Sequence, residues 1–169
     1  SFCIPLPAAN LGDADFPRVD RAPSVQSTDR IEESGAHTRK PFRILLTEDN
    51  EINVLLVEAM LQDSDCTLEV AGDGESGLAM FRAGSYDLLL MDVQMPGIDG
   101  HQTTREIRRI EAAEQRRPVA VIALTAHAFE RDIQRSLAAG CNAHLTKPVS
   151  RESLLAAIRK FRGADGPTD

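Results

Sequence analysis

Five polar side chains follow apolar runs at separate places in this sequence. Glu48 and Asp49 come after the first run, Asp92 ends a later one, and Thr125 and Lys147 follow two more. Carboxylates without a His or Cys among them favour a hard cation such as Mg²⁺ over Zn²⁺. A lysine and a hydroxyl beside that cation form a pocket for a dianionic phosphoryl group, with Asp92 as the nucleophile.

The run that ends at Asp92 is the most informative of these stretches. Leu and Met occupy positions 88–91, and Pro96, Gly97 and Gly100 follow the carboxylate closely. In an open parallel α/β sheet, ligands bind at the carboxyl ends of the strands, so Asp92 is expected to face a crevice. A strand-terminal Asp can also be only a helix cap or an Asx turn. The matching chemistry of all five side chains favours one shared site over five separate structural roles.

Short apolar runs alternate with amphipathic segments along the chain, a pattern typical of βα units. The expected strands cover 42–47, 67–71, 86–92, 119–124 and 143–145. The expected helices cover 52–60, 74–83, 100–115, 127–139 and 150–161. Because each strand is followed by a helix, the pattern predicts an α/β fold with a parallel sheet and right-handed crossovers.

Helical spacing also predicts which faces of two helices are buried. In the first helix, the apolar face is expected to contain Ile52, Leu55, Leu56, Ala59 and Met60. In the fourth helix, Ile133 and Leu137 are expected to point inward. Arginines and glutamates alternate in and after the third helix, including Arg108 and Glu111, which favours a solvated face over a binding patch.

Composition limits the classes of partner. The 169 residues carry a net charge of −7 at pH 7, which argues against nucleic-acid binding because that needs a basic surface. The three cysteines form no CxxC pair, so reduced thiols are expected. No apolar stretch is long enough to span a membrane, and no signal peptide is recognisable.

Segment 41–162 resembles the receiver domain of the two-component response regulators. The similarity lies in four stretches, ILLTEDN at 44–50, LMDVQMPGIDG at 90–100, ALTA at 123–126 and LTKP at 145–148. The resemblance implies the flavodoxin-like doubly wound (βα)5 fold, with a parallel sheet of strand order 2-1-3-4-5. It also implies a phosphoacceptor function in a phosphorelay.

The resemblance implies a role for each polar residue of the expected site. Glu48, Asp49, Asp92 and the backbone carbonyl of Gln94 hold Mg²⁺. Asp92 accepts a phosphoryl group from the phosphohistidine of a histidine kinase or a histidine phosphotransfer protein. Lys147 contacts the phosphoryl oxygens. The receiver catalyses its own phosphorylation and dephosphorylation, and whether it counts as an enzyme stays open.

The same resemblance predicts how phosphorylation changes the domain. The Thr125 hydroxyl is expected to move toward the phosphoryl group once the bond has formed. The position three residues before Lys147 usually carries an aromatic switch residue, and here it is His144. A histidine can rotate and stack, but it also titrates near neutral pH. A half-buried histidine without a switching role is the alternative.

The context of the domain is also predicted by resemblance. Its motifs are most similar to the C-terminal receivers of hybrid sensor histidine kinases, and residues 1–7 resemble the closing strand of a kinase ATPase domain. Residues 8–40 are expected to be a flexible linker, and 163–169 a disordered tail. The fragment is expected to be cytoplasmic, free of membrane contact, and a monomer or weak dimer. Membrane attachment of the parent kinase stays open.

Two other functions remain open on the sequence alone. A receiver that is never phosphorylated would act as a docking module, which the intact acids, Thr125 and Lys147 disfavour. A phosphatase of the haloacid dehalogenase type also uses a strand-end Asp with Mg²⁺. That family needs a second Asp at the position where Gln94 stands.

Overall fold

Strands and helices alternate in the part of the chain that the computed structural model describes, residues 40–127 and 129–163. In chain order they are β1 (Phe42–Thr47), α1 (Glu51–Leu61), β2 (Cys66–Ala71), α2 (Gly74–Ala83), β3 (Leu88–Asp92), α3 (Gly100–Ala113), β4 (Ala120–Thr125), α4 (Glu130–Ala139), β5 (Ala143–Thr146) and α5 (Arg151–Arg162). No helix within these two ranges is long and apolar enough to cross a membrane.

The five strands form one parallel sheet of order β2-β1-β3-β4-β5. The predicted doubly wound fold and its strand order are therefore confirmed. The strand predicted for residues 1–7 lies outside the described residues, as do nearly all of the linker predicted for 8–40 and of the tail predicted for 163–169. Those assignments stay predictions.

Each face of the sheet carries its own apolar core. Ile44 and Leu46 pack with α1 and α5 on one face, whereas Leu45 packs with α2 and α3 on the other. This alternation follows from the two-residue period of a strand. Every residue of β3 is buried, up to and including Asp92. The sheet thus holds Asp92 at the end of its most enclosed strand.

The prediction for the buried face of α1 was wrong. Of that set only Met60 is buried, whereas Ile52, Leu55 and Leu56 are 76%, 64% and 41% exposed. The helix buries Val57 and Leu61 instead. Apolar residues surround most of this helix, so their spacing does not determine which side meets the sheet. The outer side of α1 is left as an apolar surface, called here the α1 surface (Ile52, Leu55 and Leu56).

The helix α4 also differs from its prediction. It begins at Glu130 rather than 127, and it buries the small residues Ser136 and Ala139. Leu137 is 45% exposed and Ile133 is only half-buried, so the prediction that both point inward was wrong. Small side chains allow the helix to approach its neighbours closely, and its larger apolar residues then turn outward.

Arg108 and Glu111 of α3 do not lie on a solvated face, and for them that prediction was wrong. The Glu111 side chain is 3% exposed, and its two oxygens accept hydrogen bonds from the Val119 N–H and from Arg108 Nη1, both at 2.7 Å. Arg108 also donates to the Gly140 carbonyl at 2.8 Å and to Asn142 Oδ1 at 2.9 Å. This α3 anchor (Arg108, Glu111 and Asn142) ties α3 to the beginnings of β4 and β5.

Candidate active site

The strand order brings the polar residues of the prediction to one edge of the sheet. Glu48 and Asp49 directly follow β1, Asp92 and Thr125 end β3 and β4, and Lys147 directly follows β5. Because β3 lies between β1 and β4, Asp92 occupies the centre. Oxygens of the three acids, one from each, lie within 4.8 Å of one another. The predicted cluster is therefore present as a spatial arrangement.

Asp92 is buried, and each of its carboxylate oxygens has one close polar partner. Its side chain is 4% exposed, and Oδ2 lies 2.6 Å from Lys147 Nζ. Oδ1 accepts a hydrogen bond of 3.0 Å from the Gln94 N–H. Burial raises the pKa of Asp92, and the charge of Glu48 raises it further, so that the hydrogen bonds from Lys147 and Gln94 are outweighed. The cluster holds more negative charge than one ammonium neutralises.

Lys147 bridges two of the acids. Its Nζ lies 2.6 Å from Asp92 Oδ2 and 2.7 Å from Glu48 Oε2. Burial alone would lower the pKa of Lys147, but the hydrogen bonds to Asp92 and Glu48, together with their charges, raise it overall. The Lys147 N–H donates to the Thr125 carbonyl at 2.7 Å. The backbone thus holds the lysine and the threonine in a fixed relation.

Asn53, which the sequence reasoning did not select, is part of this cluster. Its Nδ2 donates to Glu48 Oε1 at 2.7 Å. Asn53 lies in the first turn of α1, which begins after the N-cap Asn50, whose side chain accepts from the Ile52 N–H at 2.9 Å. A donor one helical turn after an acidic pair is the signal that could have identified it, because that turn lies over the strand end.

The acids fit a divalent cation by their chemistry. All of their donor atoms are carboxylate oxygens, and Asp49 is exposed, so that water and an ion can reach the cluster. Glu48 Oε2 is buried, and among the described residues the Lys147 ammonium, 2.7 Å away, is its one close partner. A carboxylate oxygen with a single partner keeps a lone pair that a cation can use. The donor set suits Mg²⁺ better than Zn²⁺.

The Thr125 hydroxyl makes its hydrogen bonds to the loop that follows β4. Its hydroxyl donates to the His127 carbonyl at 3.0 Å and accepts from the His127 N–H at 3.3 Å. The His127 ring stacks on Phe129 with 5.5 Å between centroids. His144 is half-buried in β5, in register with Ala123 of β4. The switch roles of Thr125 and His144 stay predictions.

Gly100 sets the shape of the loop after Asp92. A Cβ atom at this position would lie 2.0 Å from the Asp92 carbonyl oxygen, which no side chain can tolerate. The Gly100 N–H donates to the Val93 carbonyl at 3.2 Å, and the Asp99 side chain caps α3 by accepting from the Gln102 N–H at 2.7 Å. Glycine therefore lets α3 begin directly against the backbone of Asp92.

Beside the acids, a cavity of about 290 Å³ opens between the β3–α3 loop, β4 and α4. His101 lines it, and its Nε2 lies 2.9 Å from the Ser136 hydroxyl, so that the ring links α3 to α4. Burial lowers the pKa of His101 because it disfavours the imidazolium. The charged groups that act on the ring are, in descending order, Asp99, Arg105, Arg135 and Asp132.

We expect this histidine to make stability depend on pH. The pKa of His101 is lower in the folded chain than in the unfolded chain, so the unfolded chain takes up the proton at a higher pH. The free energy of unfolding is therefore highest above the pKa of the unfolded chain, and it decreases as the pH falls through the pKa of the folded chain. His101→Gln keeps a polar group near Ser136 but cannot titrate. Urea unfolding at about pH 7 and about pH 5 should show a smaller loss of stability in this variant. An equal loss in the parent and the variant would contradict the expectation.

The sequence of this domain matches a known protein family. Residues 44–159 match the family described as "Response regulator receiver domain". The chain belongs to the response regulator receiver family. It is 36% identical over 121 residues to "Sensor histidine kinase GacS" of Pseudomonas protegens. That alignment covers 72% of this chain but 13% of the relative, so the receiver corresponds to a small part of a longer protein there.

Solved receivers have the same fold. The receiver domain of sensor histidine kinase PA1611 from Pseudomonas aeruginosa is 36% identical, with a TM-score of 0.66, and covers 73% of this chain and 99% of that one. It was solved with a magnesium ion coordinated in its active site cleft. The receiver of Ssk1 from Saccharomyces cerevisiae was co-crystallised with the histidine phosphotransfer protein Ypd1. It is 28% identical, with a TM-score of 0.72, and covers 76% of this chain and 93% of that one.

The resemblance to receiver domains that the four motifs indicate is therefore confirmed. The chain contains a receiver domain, and its relatives include receivers that are parts of sensor histidine kinases. The phosphatase alternative loses its support, since the matching family is that of receivers.

Proposed function

We propose that this receiver takes a phosphoryl group from a phosphohistidine onto Asp92, with Mg²⁺ bound, and thereby changes its affinity for a partner. The observation that carries the proposal is the buried Asp92 carboxylate at the centre of three acids, 2.6 Å from the Lys147 ammonium. The magnesium ion in the PA1611 receiver supports the same metal here. Glu48, Asp49, Asp92 and the Gln94 carbonyl would hold it, and Mg²⁺ supplies charge neutralisation for the transferring oxygens.

The transfer is an in-line displacement at phosphorus. An Asp92 oxygen forms the new bond, the bond from phosphorus to the donor imidazole breaks, and its electron pair leaves with that imidazole. Lys147 exchanges its contact with Asp92 Oδ2 for the phosphoryl oxygens, where its charge is needed most. The Thr125 hydroxyl then donates to a phosphoryl oxygen instead of the His127 carbonyl. The loop after β4 thereby loses its hydrogen bond from Thr125.

The α1 surface is the proposed docking site for the phosphodonor. It lies on the helix that begins directly after the acids, and Ile52, Leu55 and Leu56 expose apolar groups beside the expected position of the reacting atoms. The Ypd1 complex of the Ssk1 receiver supports a histidine phosphotransfer protein as the partner. A helix of that partner would cover the apolar surface while its phosphohistidine reaches Asp92.

A double substitution tests this docking site. Ile52→Ser with Leu55→Ser removes exposed apolar groups, so folding should be little affected. The rate of transfer from a phosphorylated histidine phosphotransfer protein should fall by about tenfold or more relative to the rate with acetyl phosphate. Leu137→Ser, which alters an exposed apolar residue of α4, is the matched control. Equal rate ratios in the parent and the double variant would exclude docking through α1.

The longer context is proposed on the same grounds. We propose that this receiver belongs to a hybrid histidine kinase, because GacS and PA1611 are sensor histidine kinases. We further propose a cytoplasmic receiver that works as a monomer or a weak dimer, without nucleic-acid or membrane contact. Its donor would then be a histidine kinase or a histidine phosphotransfer protein of the same compartment.

Intact-mass measurement tests the central proposal. The chain is incubated with Mg²⁺ and either acetyl phosphate or a phosphorylated histidine phosphotransfer protein. We expect the gain of one phosphoryl group, its loss on treatment with hydroxylamine, and no gain when EDTA removes the metal. Absence of any gain from both donors would overturn the proposal in favour of a docking module that is not phosphorylated.

A further inference from the structure

Glu48 is the most enclosed acid of the cluster, and its two oxygens have different partners. The residue is 2% exposed, so each oxygen depends on the protein for its hydrogen bonds. Oε1 accepts from Asn53 Nδ2 at 2.7 Å, while the Asn50 N–H lies further away at 3.4 Å. Oε2 faces Lys147 Nζ at 2.7 Å. One oxygen is thus held by a neutral amide, and the other faces the reacting groups.

We propose that Asn53 is a positioning residue that fixes the Glu48 carboxylate and thereby strengthens the binding of a divalent cation. The amide on Oε1 restrains rotation of the carboxylate, and Oε2 then faces the cluster, 2.7 Å from Lys147 Nζ. Residues that form hydrogen bonds to a metal ligand, without binding the metal themselves, contribute about 10-fold to 100-fold to metal affinity. The inference rests on the proposed function, because it concerns the metal of the same site.

A neutral donor is required at this position. A lysine or arginine in place of Asn53 would neutralise Glu48 and repel a cation, and a carboxylate would offer no proton. The amide donates a charge-assisted hydrogen bond and leaves the negative charge of the cluster unchanged. Asn53 is half-buried in the first turn of α1, so its amide is held close to Glu48 by the helix.

Cation binding tests the proposal directly. Mn²⁺ is the probe, and the free ion is counted by electron paramagnetic resonance during titration of the parent and of Asn53→Ala. We expect the dissociation constant to rise about tenfold in Asn53→Ala. Asn53→Gln, which keeps an amide donor on a longer side chain, should recover part of the affinity. A change of less than about twofold in Asn53→Ala, or a parent that binds no Mn²⁺, would overturn the inference.

A matched control separates positioning from stability. Asn142→Ala also removes an amide, but in the α3 anchor at the opposite edge of the sheet, where Asn142 Oδ1 accepts from the Val121 N–H at 2.8 Å. This variant should lose stability in urea while it keeps the Mn²⁺ affinity of the parent. Equal weakening of Mn²⁺ binding in Asn142→Ala and Asn53→Ala would mean that lost stability is the cause, and positioning would be refuted.

The Mg²⁺ dependence of phosphorylation gives a second readout. With acetyl phosphate as donor, Asn53→Ala should raise the Mg²⁺ concentration for half-maximal rate by the same factor as the dissociation constant. A purely structural role would lower the rate at every Mg²⁺ concentration without moving that midpoint. If the parent binds Mn²⁺ but takes up no phosphoryl group, the proposed function fails while the binding test of Asn53 still stands.

Discussion

Replacement of Asp92 by Asn is expected to abolish phosphoryl uptake completely. The amide has the size of the carboxylate, and its carbonyl can still accept from Lys147, which lies 2.6 Å from Oδ2 in the parent. An amide oxygen, however, lacks the nucleophilic charge that the displacement at phosphorus needs. Intact mass after incubation with Mg²⁺ and acetyl phosphate should show the added group in the parent only.

The control for this prediction is an exposed carboxylate. Asp63→Asn changes a side chain that is 85% exposed, and this variant should gain the phosphoryl group like the parent. Asp92→Asn should not unfold more easily than the parent, because it removes one charge from a cluster of three acids around one ammonium. Uptake in a folded Asp92→Asn protein would place the acceptor elsewhere and refute the assignment.

The arrangement of the candidate site could be predicted from sequence because each of its main residues is placed by a local pattern. Asp92 follows a run of buried residues, so its position at a strand end depends only on the length of that run. Glu48, Thr125 and Lys147 stand in the same relation to β1, β4 and β5. Parallel strands joined by crossovers all place their carboxyl ends at one edge. Topology then brings the four residues together without further information.

The buried faces of α1 and α4 could not be predicted, because tertiary contacts select them. Apolar residues occur on several sides of α1, and the sheet covers the side with Val57 rather than the side with Leu55. In α4 the contact is made by Ser136 and Ala139, which carry little apolar signal. Helical periodicity identifies the buried face of a helix only when the apolar residues are confined to one side and the other side is clearly polar.

The α3 anchor escaped prediction for a related reason. Its partners include backbone groups of other segments, such as the Val119 N–H that donates to Glu111 and the Gly140 carbonyl that accepts from Arg108. An Arg and a Glu three residues apart have the same pattern on an exposed helix. The neighbouring pair Arg109 and Glu106 has that spacing and is exposed, as predicted. Only the fold distinguishes the two pairs.

Removal of the Glu111 carboxylate is expected to cause the largest loss of stability. In Glu111→Ala, the Val119 N–H just before β4 loses its hydrogen-bond acceptor. The Arg108 side chain, which is only 22% exposed, loses the carboxylate that pairs with its charge. Breaking a buried ion pair from one side costs about 3–5 kcal/mol in free energy of unfolding. Urea unfolding followed by circular dichroism should show a loss near the lower end of this range, because the Gly140 carbonyl and Asn142 still accept hydrogen bonds from Arg108.

The exposed ion pair of α3, Glu106 with Arg109, is the control for the Glu111 prediction. It shows whether the loss of stability comes from burial of the ion pair or merely from removal of a charge. Glu106→Ala removes a carboxylate that pairs with Arg109 at the surface, and its effect should stay within about 0.5 kcal/mol. Replacement of both anchor residues, Arg108→Met with Glu111→Leu, should recover part of the loss because no unpaired charge is left buried. Similar losses in Glu111→Ala and Glu106→Ala would mean that the anchor is as weak as a surface ion pair, and that β4 is positioned by its sheet contacts alone.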